Sequence, residues 1–304
     1  MSILVENVSK VYGKQFALKE VSFSIDPDEI VGFIGPNGAG KSTMMKIICG
    51  YLPPSEGKVK VKEIDVSENP LLVRKSIGYL PENNPLYLEM YVREYLEFVS
   101  GILKIENKSS RISEIITQTG LEAEKHKRIG TLSKGYKQRV GLAQALIHNP
   151  SVVILDEPTT GLDPNQILEI RNLISETGKG RTIMLSTHIM QEVEAICSRI
   201  IVINKGEIVA NDRTGNLKIR SGGNFNTVSV EFSSEVDIEK LNKIAGVTKA
   251  ARVNVNTYLL QSASTADIRG SVFQFAVDEG LTVLSLQKIE KSLEEVFHAL
   301  TGNR

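Results

Sequence analysis

The run Gly35-Pro36-Asn37-Gly38-Ala39-Gly40-Lys41-Ser42-Thr43 places a cation and two hydroxyls directly after a glycine-rich turn. It fits G-x-x-x-x-G-K-[ST], a loop that holds nucleotide phosphates. The apolar run Ile30 to Ile34 precedes it, and a helix-forming stretch, Ser42 to Cys49, follows. Between a strand and a helix, the glycines let backbone N–H groups turn inward around the β- and γ-phosphates. Lys41 sets a compact charge among those oxygens. Ser42 offers a hydroxyl to Mg²⁺, which keeps mostly water and phosphate as its other ligands. The helix start adds unpaired N–H groups and the positive end of its dipole.

A second cluster follows another apolar run, Val152-Val153-Ile154-Leu155-Asp156-Glu157-Pro158. Apolar on both faces, it reads as a buried central strand of a parallel sheet. The carboxyl ends of such strands are where open α/β sheets bind ligands. Asp156 is placed to hold the water shell of Mg²⁺. Glu157, one residue further, reaches the water facing the γ-phosphate, and a general base of this kind contributes about 10²–10⁴-fold in rate. Thr182 to Thr187 form a further apolar run, and His188 ends it with no metal-ligand partner nearby in sequence.

The segment Leu132-Ser133-Lys134-Gly135-Tyr136-Lys137-Gln138-Arg139 resembles the signature of ATP-binding cassette (ABC) proteins, usually Leu-Ser-Gly-Gly-Gln. Ser133 also suits the cap of a helix running from Lys134 to His148, whose free N–H groups would face an anion. Other parts stand in the family's order. Tyr12 lies where an aromatic stacks on adenine, Thr160-Gly161-Leu162-Asp163 at the D-loop, and Thr187-His188 at the switch histidine. The resemblance covers residues 1 to about 217. It implies an ATP- and Mg²⁺-dependent ATPase that pairs with a second nucleotide-binding domain, as a homodimer. Each ATP would lie between one copy's P-loop and Ser133 and Gly135 of the other, with Tyr12 and Asp163 completing the cofactor set. His188 would contact the γ-phosphate and hold Glu157 and the attacking water in line. Lys41, Glu157 and His188 are thus the catalytic residues, and Ser42, Asp156 and Glu82 the metal-binding ones.

Two departures narrow the family. Lys134 and Tyr136 stand where Gly and Gln are commonest in the signature. Ile77-Gly78-Tyr79-Leu80-Pro81-Glu82 ends in Glu where a glutamine is usual, and Glu82 still offers an oxygen to Mg²⁺ or its water. Both variants resemble the ABC-2-type exporters, and the run Gly78 to Tyr87 is most similar to gliding-motility ATP-binding subunits. The expected function is therefore an ATPase that drives an ABC-2-type permease by dimer closure. The expected place is the cytoplasmic face of the inner membrane, held only through that permease. The alternative is a soluble regulatory ABC ATPase without a permease.

The positioning elements follow from the punctuation. The expected class is α/β: a P-loop NTPase sheet core of ABC type with a helical subdomain at about 85–145, plus a small C-terminal α+β domain. Leu4–Val8, Val21–Ile25 and residues 58–66 read as strands, and Tyr91–Leu103 and Ser110–Thr119 as helices. The core sheet resumes at Val152–Leu155, Thr182–Ser186 and Ile200–Ile203, with a hairpin partner from Gly206. Residues 1–217 form the nucleotide-binding domain and Arg220–Asn224 a linker. Residues 220–304 carry strand, helix, two strands, helix, strand and helix in ferredoxin-like order. Asn83 to Leu88 form the expected permease-docking surface.

Composition excludes other classes. Lys+Arg and Asp+Glu are both 36, and a balanced charge argues against nucleic acid as a partner. The two cysteines, Cys49 and Cys197, fall in unrelated segments, which rules out a zinc cluster and suits a reducing compartment. No apolar run approaches the ~20 residues needed to span a bilayer. The start of the chain lacks the basic and apolar regions of an export signal. A chromosome-type ATPase would need long heptad arms. A ribosome-acting relative would carry two cassettes, and Asn204-Lys205-Gly206-Glu207 is a poor guanine-reading motif.

Overall fold

The computed structural model describes residues 1–216, 226–262, 267–289 and 293–302. The expected linker Arg220–Asn224 lies outside the described residues, as do Thr265 and Ser292. The chain divides into two compact units, Met1–Thr214 and Gly215–Arg304.

The first unit opens with β1 (Ile3–Tyr12) and β2 (Gln15–Ile25). Both run longer than their apolar spans predict, because Tyr12 pairs with Gln15 around a two-residue turn at Gly13, φ 60°. A backbone angle of that sign suits glycine in a tight hairpin. β3 (Ile30–Ile34) leads through the glycine loop into α1 (Lys41–Ile48), and β4 (Glu56–Val61) and β5 (Ile64–Asp65) follow. The single strand expected over 58–66 is thus a tight hairpin, with Lys62 at φ 49° and Glu63 at φ 66°. No Asn-Gly pair marks that turn, so propensity missed it.

Next come α2 (Pro70–Ser76), β6 (Ile77–Leu80), α3 (Val92–Ile102), α4 (Lys108–Gln118) and α5 (Lys134–Leu146). The unit closes with β7 (Val152–Asp156), α6 (Pro164–Thr177), β8 (Thr182–Ser186), α7 (Met190–Ile196), β9 (Arg199–Asn204) and β10 (Glu207–Arg213). β2, β1, β4 and β5 form one antiparallel sheet; the second sheet has the order β10-β9-β3-β8-β7-β6. Within it β9, β3, β8, β7 and β6 are parallel, and β10 pairs antiparallel at the edge.

Every residue of β7 and β8 is buried, as expected of strands covered on both faces. Met44, Met45, Ile47 and Ile48 of α1 join one core with Ile3, Phe23, Val31 and Phe33, which come from both sheets. That burial anchors α1, and with it the end of the glycine loop. In the helical part, Arg111 donates to the carbonyls of Ile147 and Leu146, both at 2.7 Å. These are end-of-helix carbonyls of α5 that lack intrahelical partners, so α4 is tied to the end of α5.

The second unit contains β11 (Asn226–Phe232), α8 (Ile238–Leu241), β12 (Val247–Arg252), β13 (Thr257–Ser262), α9 (Arg269–Asp278), β14 (Val283–Ile289) and α10 (Leu293–Thr301). Its antiparallel sheet has the order β12-β13-β11-β14, the ferredoxin-like arrangement. α8 is shorter than the expected Val236–Ile244. Asp237 caps it by accepting from Glu239 N–H, and Lys243 and Ile244 bond three residues back, which tightens the end into a 3₁₀ turn. Val228, Val230, Phe232, Tyr258 and Leu260 face the helices and form the core with Leu241, Val272 and Ala276.

Candidate functional site

The P-loop residues lie between β3 and α1. Gly40 caps α1 at φ 109°. A side chain there would stand 2.6 Å from the Ala17 carbonyl oxygen, so both conformation and space require glycine. Gly38, φ 79°, sits in open space at the crown of the loop, where a phosphate can approach the backbone. Lys41 is buried to 7% exposure and donates to the carbonyls of Gly35 (2.6 Å) and Pro36 (3.3 Å). Burial pulls its ammonium below the usual lysine range, against an opposing pull from Glu157, then Asp156, then Glu82. Four residues singled out separately in the sequence therefore share one electrostatic neighbourhood.

Asp156 ends β7 and pairs in register with Ser186 of β8. The Ser186 hydroxyl donates to Asp156 Oδ1 at 2.7 Å and accepts from Glu157 N–H at 2.9 Å. One side chain thus fixes both carboxylate residues. Glu157 is 8% exposed and sits at φ 49°, a left-handed conformation uncommon outside glycine and typical of functional sites. Its Oε2 accepts from Thr160 Oγ1 at 3.1 Å and from His188 Nδ1 at 2.8 Å. The His188 side chain remains 56% exposed. The hydrogen bonds to the Glu157 carboxylate among the described residues fall on Oε2, which leaves Oε1 for a water. β8 is hydrogen-bonded to both β3 and β7, so their parallel run brings the P-loop, Asp156-Glu157 and His188 to the carboxyl end of the sheet.

Apart from Glu82, the remaining expected site residues lie elsewhere on the unit. Tyr12 is 51% exposed at the β1–β2 turn, with Lys10 Nζ 5.5 Å from its ring centre. Ser133 caps α5 and accepts from Tyr136 N–H at 3.4 Å. Gly135 is buried, and a side chain there would meet the Gln166 side chain of α6 at 2.9 Å, a contact that a shift of that flexible side chain can relieve. Asp163 caps α6 by accepting from Gln166 N–H at 2.9 Å. Glu82 is exposed on the loop after β6. Among the described residues no hydrogen bond joins Ser133, Asp163 or Tyr12 to the P-loop.

Sequence reasoning missed the support around Glu157. Ser186 reads only as a strand end and Thr160 only as part of the D-loop, because a serine at a strand end and a threonine in a turn are common. The available signal was polarity: Thr182 and Ser186 bracket an apolar strand that is buried throughout.

Residues 18–160 match the family described as ABC transporter. The Nod factor export ATP-binding protein I of Rhizobium etli is 38% identical over 97% of this chain and 92% of its own length. The chain is an ABC transporter ATP-binding protein. Its relatives include the linearmycin resistance ATP-binding protein LnrL of Bacillus subtilis, 33% identical over 98% of this chain and 97% of that protein. Among solved structures it resembles a dimeric post-hydrolysis state of the cassette MJ0796 bound to ADP and Pi. There the TM-score is 0.64 at 28% identity, covering 69% of this chain and 98% of the cassette. As an ABC ATPase it binds and hydrolyses ATP. No helix among the described residues is long and apolar enough to cross a membrane.

Proposed function

We propose that this ABC ATPase drives an ABC-2-type permease, as an exporter, through ATP-dependent closure of a homodimer at the cytoplasmic face of the membrane. The carrying observation is the convergence of Lys41, Asp156 and the Glu157–His188 pair at the carboxyl end of the parallel strands. In this reading ATP lies on the P-loop, Gly35 to Thr43, with its adenine toward Tyr12. Lys41 leaves the loop carbonyls for the phosphate oxygens. Ser133, Gly135 and Asp163 of a second copy close over the γ-phosphate. The residues fit Mg²⁺: Ser42 and Asp156 are oxygen donors, and Asp156 has one oxygen taken by Ser186 and one to spare for the ion's water. Glu82 would stand at its edge. Mg²⁺ would supply charge neutralisation at the β- and γ-oxygens. Glu157 Oε1 takes the water's proton while the His188 bond keeps the carboxylate in line. Phosphoryl transfer asks for little beyond such positioning and charge stabilisation.

The docking surface proposed for the permease is Asn83 to Leu88. Tyr87 and Leu88 are exposed at 55% and 50%. The Tyr87 ring packs at 5.5 Å on Phe98 and edge-on at 6.0 Å on Tyr95. These rings, with Tyr51, Arg74 and Tyr79, line a groove of about 310 Å³, able to take an anchoring side chain of an amphipathic helix from a membrane partner. Export is supported by the Glu82 and Leu-Ser-Lys-Gly-Tyr variants and by the export and resistance roles in the relatives' names. Service in gliding motility rests on the Gly78–Tyr87 resemblance.

The test is affinity purification from gently solubilised native membranes, followed by mass spectrometry. A polytopic companion lost in Tyr87→Ala, with ATP binding unchanged, is the expected result. Soluble companions alone would instead favour the regulatory ATPase, and loss of nucleotide binding in Tyr87→Ala would remove the docking role.

A further inference from the structure

One buried carboxylate has no part in the chemistry above. Glu192 lies in the first turn of α7 and is 3% exposed. Its Oε2 accepts from the Thr187 hydroxyl at 2.8 Å, while its Oε1 is buried without a hydrogen-bond partner. Thr187 is fully buried, and its oxygen also accepts from Ile189 N–H at 3.1 Å. A relay therefore runs from Ile189 N–H through the Thr187 hydroxyl to Glu192, and it spans His188. A half-paired carboxylate is an expensive occupant of an interior, where an apolar side chain of similar volume is often better tolerated. Stability alone does not account for it.

The geometry at His188 supplies an account. More than half of that side chain is exposed, so packing restrains its ring weakly, yet the ring must meet Glu157 Oε2 at 2.8 Å. What remains to aim it is the backbone on either side. Thr187 and Ile189 are the residues on either side, and the relay ties both to α7.

We propose that Glu192 is a positioning residue for ATP hydrolysis: through Thr187 it fixes the backbone of His188 and so the His188–Glu157 bond. This rests on the role assigned to His188 in the proposed function. Misplacement of a positioned group by a fraction of an ångström is expected to lower kcat by about tenfold, with the KM for ATP nearly unchanged.

The experiment uses the full chain and compares E192M, T187V and the double variant E192M/T187V by steady-state ATPase kinetics and thermal melting. E192M leaves the Thr187 hydroxyl without its acceptor, and T187V leaves the Glu192 carboxylate and the Ile189 N–H without their partner, so the melting temperature of each falls. The double variant removes both side-chain groups and leaves only the part-buried Ile189 N–H without its acceptor, so its melting temperature recovers in part while kcat stays low. E192Q and T187S keep the bridge and recover most of the rate. Adding E192M to H188A lowers kcat no further. Recovery of kcat together with melting temperature in the double variant overturns the proposal, as does an equal loss in the H188A background. If the double variant does not fold, T187V against T187S decides, and equal kcat in those two overturns it. H188A at the parental rate would instead sink the underlying role of His188.

Discussion

The two units bury polar groups very differently. In Met1–Thr214 the interior includes Lys41, Asp156, Glu157 and Glu192. In Gly215–Arg304 the buried polar side chains among the described residues are Ser262 and Thr301. The second unit keeps its ion pairs at the surface, as with Arg252–Glu235 and Arg269–Asp267. Removing a charge from water is costly unless it is paired. The second unit therefore has the composition of a chain arranged for packing. The first accepts local cost at the carboxyl end of its parallel strands, where the proposed function asks for a phosphate to be gripped and a water activated. Buried charge, more than pocket size, separates the two: cavities of about 700 Å³ and 610 Å³, one on each unit, lie away from the P-loop residues.

The sharpest way to break this comparison is Glu157→Gln. Nucleotide binding should persist while phosphate release slows by about 10²-fold or more, and size-exclusion chromatography with ATP should find a trapped dimer. A parental rate would remove Glu157 from the base role. The opposite probe is Phe232→Ala. It empties core space shared with Tyr258 and Phe275, and a loss of about 3–5 kcal/mol in the second unit is expected. Denaturant unfolding of that unit should shift while ATP affinity holds; an equal shift in affinity would mean that the units are not energetically separate.

The smallest effect concerns His148. Burial pushes its imidazole below the ordinary 6.5, only partly offset by the bond from Nε2 to the Ile77 carbonyl. A depressed folded value means that protonation favours the unfolded chain. The stability it contributes is present above 6.5 and is lost as pH falls through the folded value. Melting of the first unit should fall as pH drops below 6.5, less steeply in His148→Gln. An identical slope in that variant would assign the pH dependence to other groups.

The parallel core was legible because its strands are continuous apolar runs, and Val152–Asp156 and Thr182–Ser186 differ little from expectation. The hairpins at Gly13 and at Lys62-Glu63 were not, because their turns lack the dipeptides that announce them. α8 was overextended because periodicity does not separate an α turn from a 3₁₀ continuation.

For the site, residue types and spacing alone marked the phosphate loop and the Asp156-Glu157 pair, and the family resemblance added His188 at a strand end. Each is a short-range pattern tied to one strand end. Only the tertiary structure decided that Ser186 clamps both carboxylate residues, that Thr160 and His188 converge on one oxygen of Glu157, and that Glu192 braces the backbone beside His188. Those contacts join residues from different elements through strand register and burial. Nothing in a local pattern encodes which hydroxyl will lie 2.7 Å from which carboxylate.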